Sequence, residues 1–479
     1  MRVRFGAVLL AVMGVAAGGT KSALAQNCTG AQSLANNFSR GGPSIPPDIN
    51  VSRGDLSNPG ARALALGGAF VSTADDATSS VSNPAGLGSL VAAQIQYEQR
   101  VEPGTQTTPA DLSRAFDATN SSASAPFVDK KSSAPFPYFF SGMLPISDTV
   151  VAGITYQTLV NESGRTIENI PGANDSVRLA AGPCFAVENT NFYIPLFNVT
   201  QTTSVRRVGA SVAWRALPRL SLGLSVFYNN EERDQTFISG DAKGRVSVTS
   251  PGAIDRTEIQ TSSWKPSFIV GALFNVNETL KLGAAYSQAV RFDDTNKAPV
   301  RPGVSFEREK VFLPTVLPAR ASLGATISPT PVLIVALEGV WIDNSKQAQV
   351  NFPVGFGGNF GTEAIERSNY TFENGYEVRL GLEWAIRETR RQRLALRIGG
   401  WMQNTPRLVF NSLRGTSAPE KILLNYLRVT LAPESVSRLY HVTGGAGLVL
   451  NKKLQLDVGA DYETEYRSLT LSALAGYSF

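Results

Sequence analysis

From about residue 91 onward the chain repeats one theme: an alternating apolar and polar stretch, a short polar turn, a second alternating stretch, then a long polar loop. In LQLDVGADY, Leu454, Leu456, Val458, Ala460 and Tyr462 fall on one face, and Gln455, Asp457, Gly459 and Asp461 on the other. Period two is the mark of a β-strand, whose successive side chains point to opposite faces. LSLGLSVFY and LKLGAAY repeat the pattern. YEVRLGLEWAI puts Tyr376, Val378, Leu380, Leu382, Trp384 and Ile386 on one side, with Glu377, Arg379, Gly381 and Glu383 together on the other.

A soluble sandwich also alternates, but it buries its apolar faces in a shared core and its connections are usually short at both ends. Here they are lopsided. Short turns fall near 146–148, 216–219, 275–279, 328–331, 387–393 and 451–453. Long loops are expected at about 102–134, 161–202, 234–258, 292–313, 346–372 and 405–437. This asymmetry predicts an all-β, transmembrane antiparallel β-barrel. Strands starting near 91, 135, 149, 203, 219, 262, 279, 314, 332, 374, 393, 438, 453 and 468 make about fourteen, with both ends of the wall on the periplasmic side.

Aromatic placement gives an independent check. Trp214, Phe274 and Trp384 lie on apolar faces just before short turns, and Tyr156, Tyr228, Tyr286 and Tyr462 about six to eight residues beyond them. At about 3.3 Å per residue and about 40° tilt, eight residues climb roughly 20 Å, near the height of a lipid-facing band. Two aromatic girdles are therefore expected. The final stretch SLTLSALAGYSF alternates down to Phe479 and resembles the signal read by the barrel-assembly machinery of Gram-negative bacteria.

Composition agrees with strands: 43 glycines, 2 cysteines, 4 methionines and a mean hydropathy of −0.05 in 479 residues. Residues 1–25 read as a secretory signal peptide, with an apolar run from Phe5 to Ala17 and Ala23-Leu24-Ala25 before the cleavage point. No later run is apolar enough for a membrane helix. Losing Arg2, Arg4 and Lys21 with the signal peptide lowers the formal charge from +5 to +2, so basicity does not point to nucleic acid. Asn27 before Cys28 argues against lipidation. Cys28 and Cys184 are either bridged or two free thiols, since spacing does not establish proximity.

The barrel leaves a lumen that wall side chains cannot fill. Ahead of the first strand lies NPGARALALGGAFVSTADDATSSVSNPAGLGSL, Asn58 to Leu90, rich in small residues and bends and so able to fold inside. Within it, Gly67-Gly68-Ala69-Phe70, Ala74-Asp75-Asp76-Ala77 and Asn83-Pro84-Ala85 resemble the N-terminal hatch of the FadL/TodX family of outer-membrane transporters. Hairpins such as GASVAWRALPRLSLG and GALFNVNETLKLG also resemble that family, and the resemblance covers about residues 56–479. It implies a fourteen-stranded barrel plugged by the hatch, taking up long-chain fatty acids or aromatic hydrocarbons, with lateral release at the third strand. That strand is about Thr149 to Val160, with Gly153 the candidate weak point. The organisation expected is a signal peptide (1–25), an unmatched extension (26–55), a hatch (56–90) and a barrel (91–479). The family suggests a monomer in contact with outer-membrane lipids.

Candidate ligand contacts follow from chemistry. Phe192, Tyr193, Ile194, Leu196 and Phe197 form an apolar loop segment, read either as pocket lining or as loop packing. A carboxylate substrate calls for a cation, for which Arg165, Arg178 and Lys310 are loop candidates, or else solvated charges. In the hatch, Asn83, Pro84 and Ala85 are expected to hold a bend, and Asp75 and Asp76 to pair with lumen arginines or cap a short helix. His441 falls on the lumen face by parity, in a hydrogen-bonding role. The run RETRRQR from Arg387 sits in a short periplasmic turn near anionic surfaces. One histidine, two cysteines and no nucleotide or triad motif give no case for an enzyme, a metal or a cofactor. Two other readings stay open: a diffusion porin, and a structural or secretion-associated barrel that binds a protein partner.

Overall fold

The computed structural model describes residues 58–101, 105–109, 127–132, 137–168, 196–240, 255–292, 315–345, 370–404, 408–410, 438–464 and 467–479. Cys28, Arg178, Cys184, Phe192, Tyr193, Ile194 and Lys310 lie outside these residues, as do the signal peptide and the extension to residue 55. Arg165, Leu196 and Phe197 are described in their backbone only.

Fourteen antiparallel strands close into a barrel. The first half comprises β1 (Gln94–Val101), β2 (Phe139–Pro145), β3 (Val150–Glu168), β4 (Leu196–Leu217), β5 (Leu220–Gly240), β6 (Asp255–Asn275) and β7 (Leu280–Ser287). The second comprises β8 (Ala319–Thr330), β9 (Leu333–Asp343), β10 (Gly375–Glu388), β11 (Gln392–Asn404), β12 (Arg438–Leu450), β13 (Leu454–Glu463) and β14 (Ser468–Ser478). Each pairs with its neighbour in sequence, and β1 joins β14 from Gln94↔Ser478 to Val101↔Leu471, so no wall edge is left open to lipid.

The alternation is that of a soluble protein turned inside out. Along β10, Glu377, Arg379 and Glu383 are buried in the lumen, whereas Val378, Leu380, Leu382, Trp384 and Ile386 are exposed on the outer face. Only a lipid environment makes that arrangement favourable, because in water the outer face would be a continuous apolar surface. Trp214, Phe274, Trp384, Tyr228, Tyr286 and Tyr462 are all on this outer face, as the girdle pattern requires. Tyr156 is half-buried.

One expectation needs correction. β3, β4, β5 and β6 are 19, 22, 21 and 21 residues long, against 8 to 14 for the strands from β7 onward. Pairing continues to Glu168↔Phe197, Leu196↔Gly240 and Ser239↔Asp255, so the described parts of what reads as loop at 161–202 and 234–258 are sheet. Twenty-two residues at about 3.3 Å and about 40° tilt rise some 55 Å, roughly twice the apolar band. The upper halves, such as NNEERDQTF, leave the lipid, so neither face needs to be apolar and period two disappears while the backbone ladder continues. Phe127–Ser132 pairs with the top of β3, and Thr105–Pro109 pairs with Phe127–Lys131, which widens this projecting sheet.

Candidate functional site: the lumenal segment and the cavity beside it

Residues 58–90 lie within the barrel. Helix α1 (Ala61–Ala65) ends at Gly67 and Gly68, both in the left-handed region at φ 63° and 74°, and Gly68 N–H donates to Ala63 O at 2.8 Å. This is the glycine stop that lets a helix turn sharply. Phe70 follows, fully buried, and its N–H and that of Val71 both donate to one carboxylate oxygen of Glu338 on β9 at 2.8 Å. Arg379 on β10 donates to Gly68 O at 2.9 Å and also pairs with Glu338 and Glu377. A short chain with little core of its own is thus fixed by wall charges satisfying its free backbone groups.

Asn83, Pro84 and Ala85 form the second anchor. Asn83 is fully buried; its side chain accepts from Ala85 N–H at 3.2 Å and donates to Val71 O at 2.7 Å and to Ala272 O of β6 at 3.1 Å. Pro84 opens a 3₁₀ helix (Pro84–Ser89), where its missing N–H costs nothing. The wall makes room at two glycines. A Cβ on Gly271 would lie 2.0 Å from Asn83 Oδ1, and one on Gly223 would lie 2.2 Å from Ala85 N. Thr443 on β12 and Ser225 on β5 are among the further wall contacts, donating to Ala65 O and Ser80 O.

The aspartates differ from expectation. Asp75 pairs with Arg62 of the same segment, not with a wall arginine, and it is Arg62 that reaches the wall, at 2.8 Å from Glu383 on β10. Asp76 caps no helix: its side chain accepts from Thr78 N–H at 2.9 Å and from the Thr78 hydroxyl, a local turn. Burial, and after it the neighbouring Asp75 charge, push Asp76 up to about 6. Among the described residues no cluster of His, Cys, Asp and Glu could hold a metal. His441 faces the lumen, where Asp461 takes its Nδ1 and the Trp401 indole N–H, each at 2.9 Å.

Between this segment and the wall lies a cavity bordered by Val81 and Ser82, by Leu159 on β3, Arg207 on β4 and Ile269 on β6, and by Leu317. Leu159 belongs to a buried apolar cluster with Val160, Val205, Val290, Phe292 and Leu317. Arg207 donates to Gln157 at 2.6 and 3.0 Å and lies over the Phe227 ring, with no carboxylate partner among the described residues. Arg320, also on the cavity, is ion-paired with Glu377 at 2.8 Å. Neither arginine is singled out by sequence; both stand on lumen-facing positions of strands, and only closure of the barrel brings them together.

Gly153 is not an opening. It is paired on both sides, with Met143 and Ser211, and a Cβ there would lie 2.1 Å from Gly142 O, so the glycine serves close strand packing. The irregularity of the third strand lies higher. The β3–β4 register shifts between Thr158 and Val160, a bulge at Leu159 beside the cavity. On the other side the β2 register ends at Gln157 and that of Phe127–Ser132 begins at Glu162, with Thr158 held by Tyr138 O and Pro137 O.

A closed barrel with apolar skin, charged lumen and an internal segment defines a transmembrane β-barrel of the outer-membrane type. Residues 194–408 match the model of the family described as outer membrane protein transport protein (OMPP1/FadL/TodX). Similar folds occur in crystal structures of a Pseudomonas aeruginosa FadL homologue (13% identity, TM-score 0.52, 87% of this chain and 98% of that one). The Ralstonia pickettii toluene transporter TbuX (12%, 0.52, 89% and 99%) and the Pseudomonas putida toluene transporter TodX (13%, 0.51, 88% and 99%) share it too. No curated protein matches the chain in sequence.

Proposed function

We propose that this barrel takes up amphiphiles of the long-chain fatty acid type, that residues 58–90 act as its plug, and that the cavity at Arg207 holds the carboxylate. The observation that carries this reading is Arg207 itself: a cation on a cavity lined by apolar side chains such as Leu159, Ile269 and Leu317 and by neutral polar ones such as Asn229, Ser267 and Gln288, held by a neutral amide and an aromatic face, leaves its charge free to meet an anion. A hydrocarbon without a head group has no use for it. The alkyl chain supplies the driving force, since each buried methylene contributes about 0.8 kcal/mol and a sixteen-carbon chain on the order of 10 kcal/mol gross. Lateral release belongs to the same reading, with the Leu159 bulge rather than Gly153 as the exit. So do a monomeric state and insertion by the barrel-assembly machinery through the terminal strand.

The test is oleate and toluene binding to purified Arg207→Gln by native mass spectrometry or calorimetry. A charge-assisted contact is worth about 1.5–3 kcal/mol, so oleate should weaken by at least about tenfold while toluene binding stays the same. Equal loss of both ligands, or no loss of oleate, in a barrel that keeps its heat-modifiable gel shift would remove the head-group assignment.

A further inference from the structure

Two periplasmic turns, 389–391 between β10 and β11 and 451–453 between β12 and β13, are joined by a hydrogen bond from Asn451 N–H to Arg391 O at 2.6 Å. Around that junction stand Arg387, Arg390, Arg391, Lys452 and Lys453, all exposed, with Glu388 as the acid among them. None of the five cations forms an ion pair with another described residue. The nearby Arg393 is different, because it turns inward to Glu383 at 3.2 Å. The other four periplasmic turns, 146–149, 218–219, 276–279 and 331–332, hold only Asp148, Arg219 and Glu278 between them. The positive charge is therefore gathered on one arc of the rim.

Two further observations say what this arc meets. Trp384, Ile386, Tyr477 and Phe479 are exposed on the outer face directly above it, with Tyr477 and Phe479 edge-to-face at 5.2 Å. Aromatic side chains of this kind mark the lipid–water boundary, so the cations just beyond sit at head-group depth. Lys452 also adopts φ 57° after Asn451 at 51°, the mirror-image hairpin turn in which glycine is preferred at the second position. The backbone there favours glycine, yet the chain keeps a lysine.

We propose that this arc is a binding surface for anionic phospholipid head groups, such as phosphatidylglycerol, in the inner leaflet of the outer membrane, fixing an annular lipid beside β10–β13. Guanidinium and ammonium groups meeting lipid phosphate without competing carboxylates provide the recognition.

To test it, the full mature protein is reconstituted in vesicles of phosphatidylcholine with one-fifth phosphatidylglycerol, and retained lipid is read by native mass spectrometry. Wild type should retain phosphatidylglycerol in clear preference. The variant Arg387→Gln, Arg390→Gln, Arg391→Gln, Lys452→Gly, Lys453→Gln should lose that preference by about tenfold or more, since each basic residue near an anionic surface contributes. Lys452→Gly suits the turn, and the heat-modifiable gel shift checks that the barrel is formed. Arg219→Gln, on the opposite arc, should keep the wild-type preference. Retention of the two lipids by wild type in their bulk proportion of one to four overturns the proposal. So does an unchanged preference in the five-site variant, or an equal loss in Arg219→Gln.

Discussion

Replacing Asn83 by alanine removes one amide from a fully buried position and strips three hydrogen bonds at once: to Val71 O, to Ala272 O and from Ala85 N–H. Two of these lie within residues 58–90 and one crosses to β6. A typical bond contributes about 0.5–1.5 kcal/mol net, and partners left unsatisfied in a buried site cost more, so a loss of about 3 kcal/mol is expected. That energy should appear locally, because the fourteen-strand ladder does not use Asn83. At about 1.4 kcal/mol per decade, the population with the segment detached rises about a hundredfold. Hydrogen exchange of the Val71 and Ala85 amides, with single-channel conductance in planar bilayers, reads this directly. Both should increase while the β10–β13 amides stay protected. Wild-type exchange at Val71 and Ala85 in a folded Asn83→Ala barrel would refute the anchoring argument.

Two more outcomes follow from the same geometry. Gly223→Ala should dislodge the 3₁₀ helix, since the new Cβ would lie 2.2 Å from Ala85 N and Pro84 C. Gly339→Ala, which meets nothing within 4 Å, should leave conductance unchanged. Asp76 is raised to about 6 from 3.8. Its protonated form is therefore favoured by the folded state, a stabilisation fully present below pH 3.8 and lost as pH rises through about 6. The shift corresponds to roughly 3 kcal/mol. Exchange of amides at 76–80 should accelerate between pH 4 and pH 6 beyond the intrinsic base-catalysed rate, and Asp76→Asn should flatten that excess; a parallel profile in the variant would contradict it.

The barrel was readable because lipid imposes period two on every strand it touches. β10 and β13 alternate in the structure residue for residue as they do in the sequence, and the paired aromatics mark both interfaces. The pattern failed where lipid ends: residues 161–168 and 229–240 pair as strands without an apolar face, so nothing in their hydropathy distinguishes them from loop. In the lumenal segment, Gly67, Gly68 and Asn83-Pro84-Ala85 stand out because their backbone roles depend on residue type. Their partners do not stand out, because Glu338, Arg379 and Gly271 are ordinary inward positions of separate strands.

Amino-acid order alone makes single strands and single turns legible: which residues face lipid, where the chain reverses, and which short motif can fill a lumen. Closure of the wall decided the rest. It brought Arg207, Leu159 and Leu317 around one cavity, made Arg62 the link between Asp75 and Glu383, and packed Gly153 between paired neighbours while the bulge fell at Leu159. Such contacts depend on strand register, and a period-two pattern reports only the face on which each residue lies.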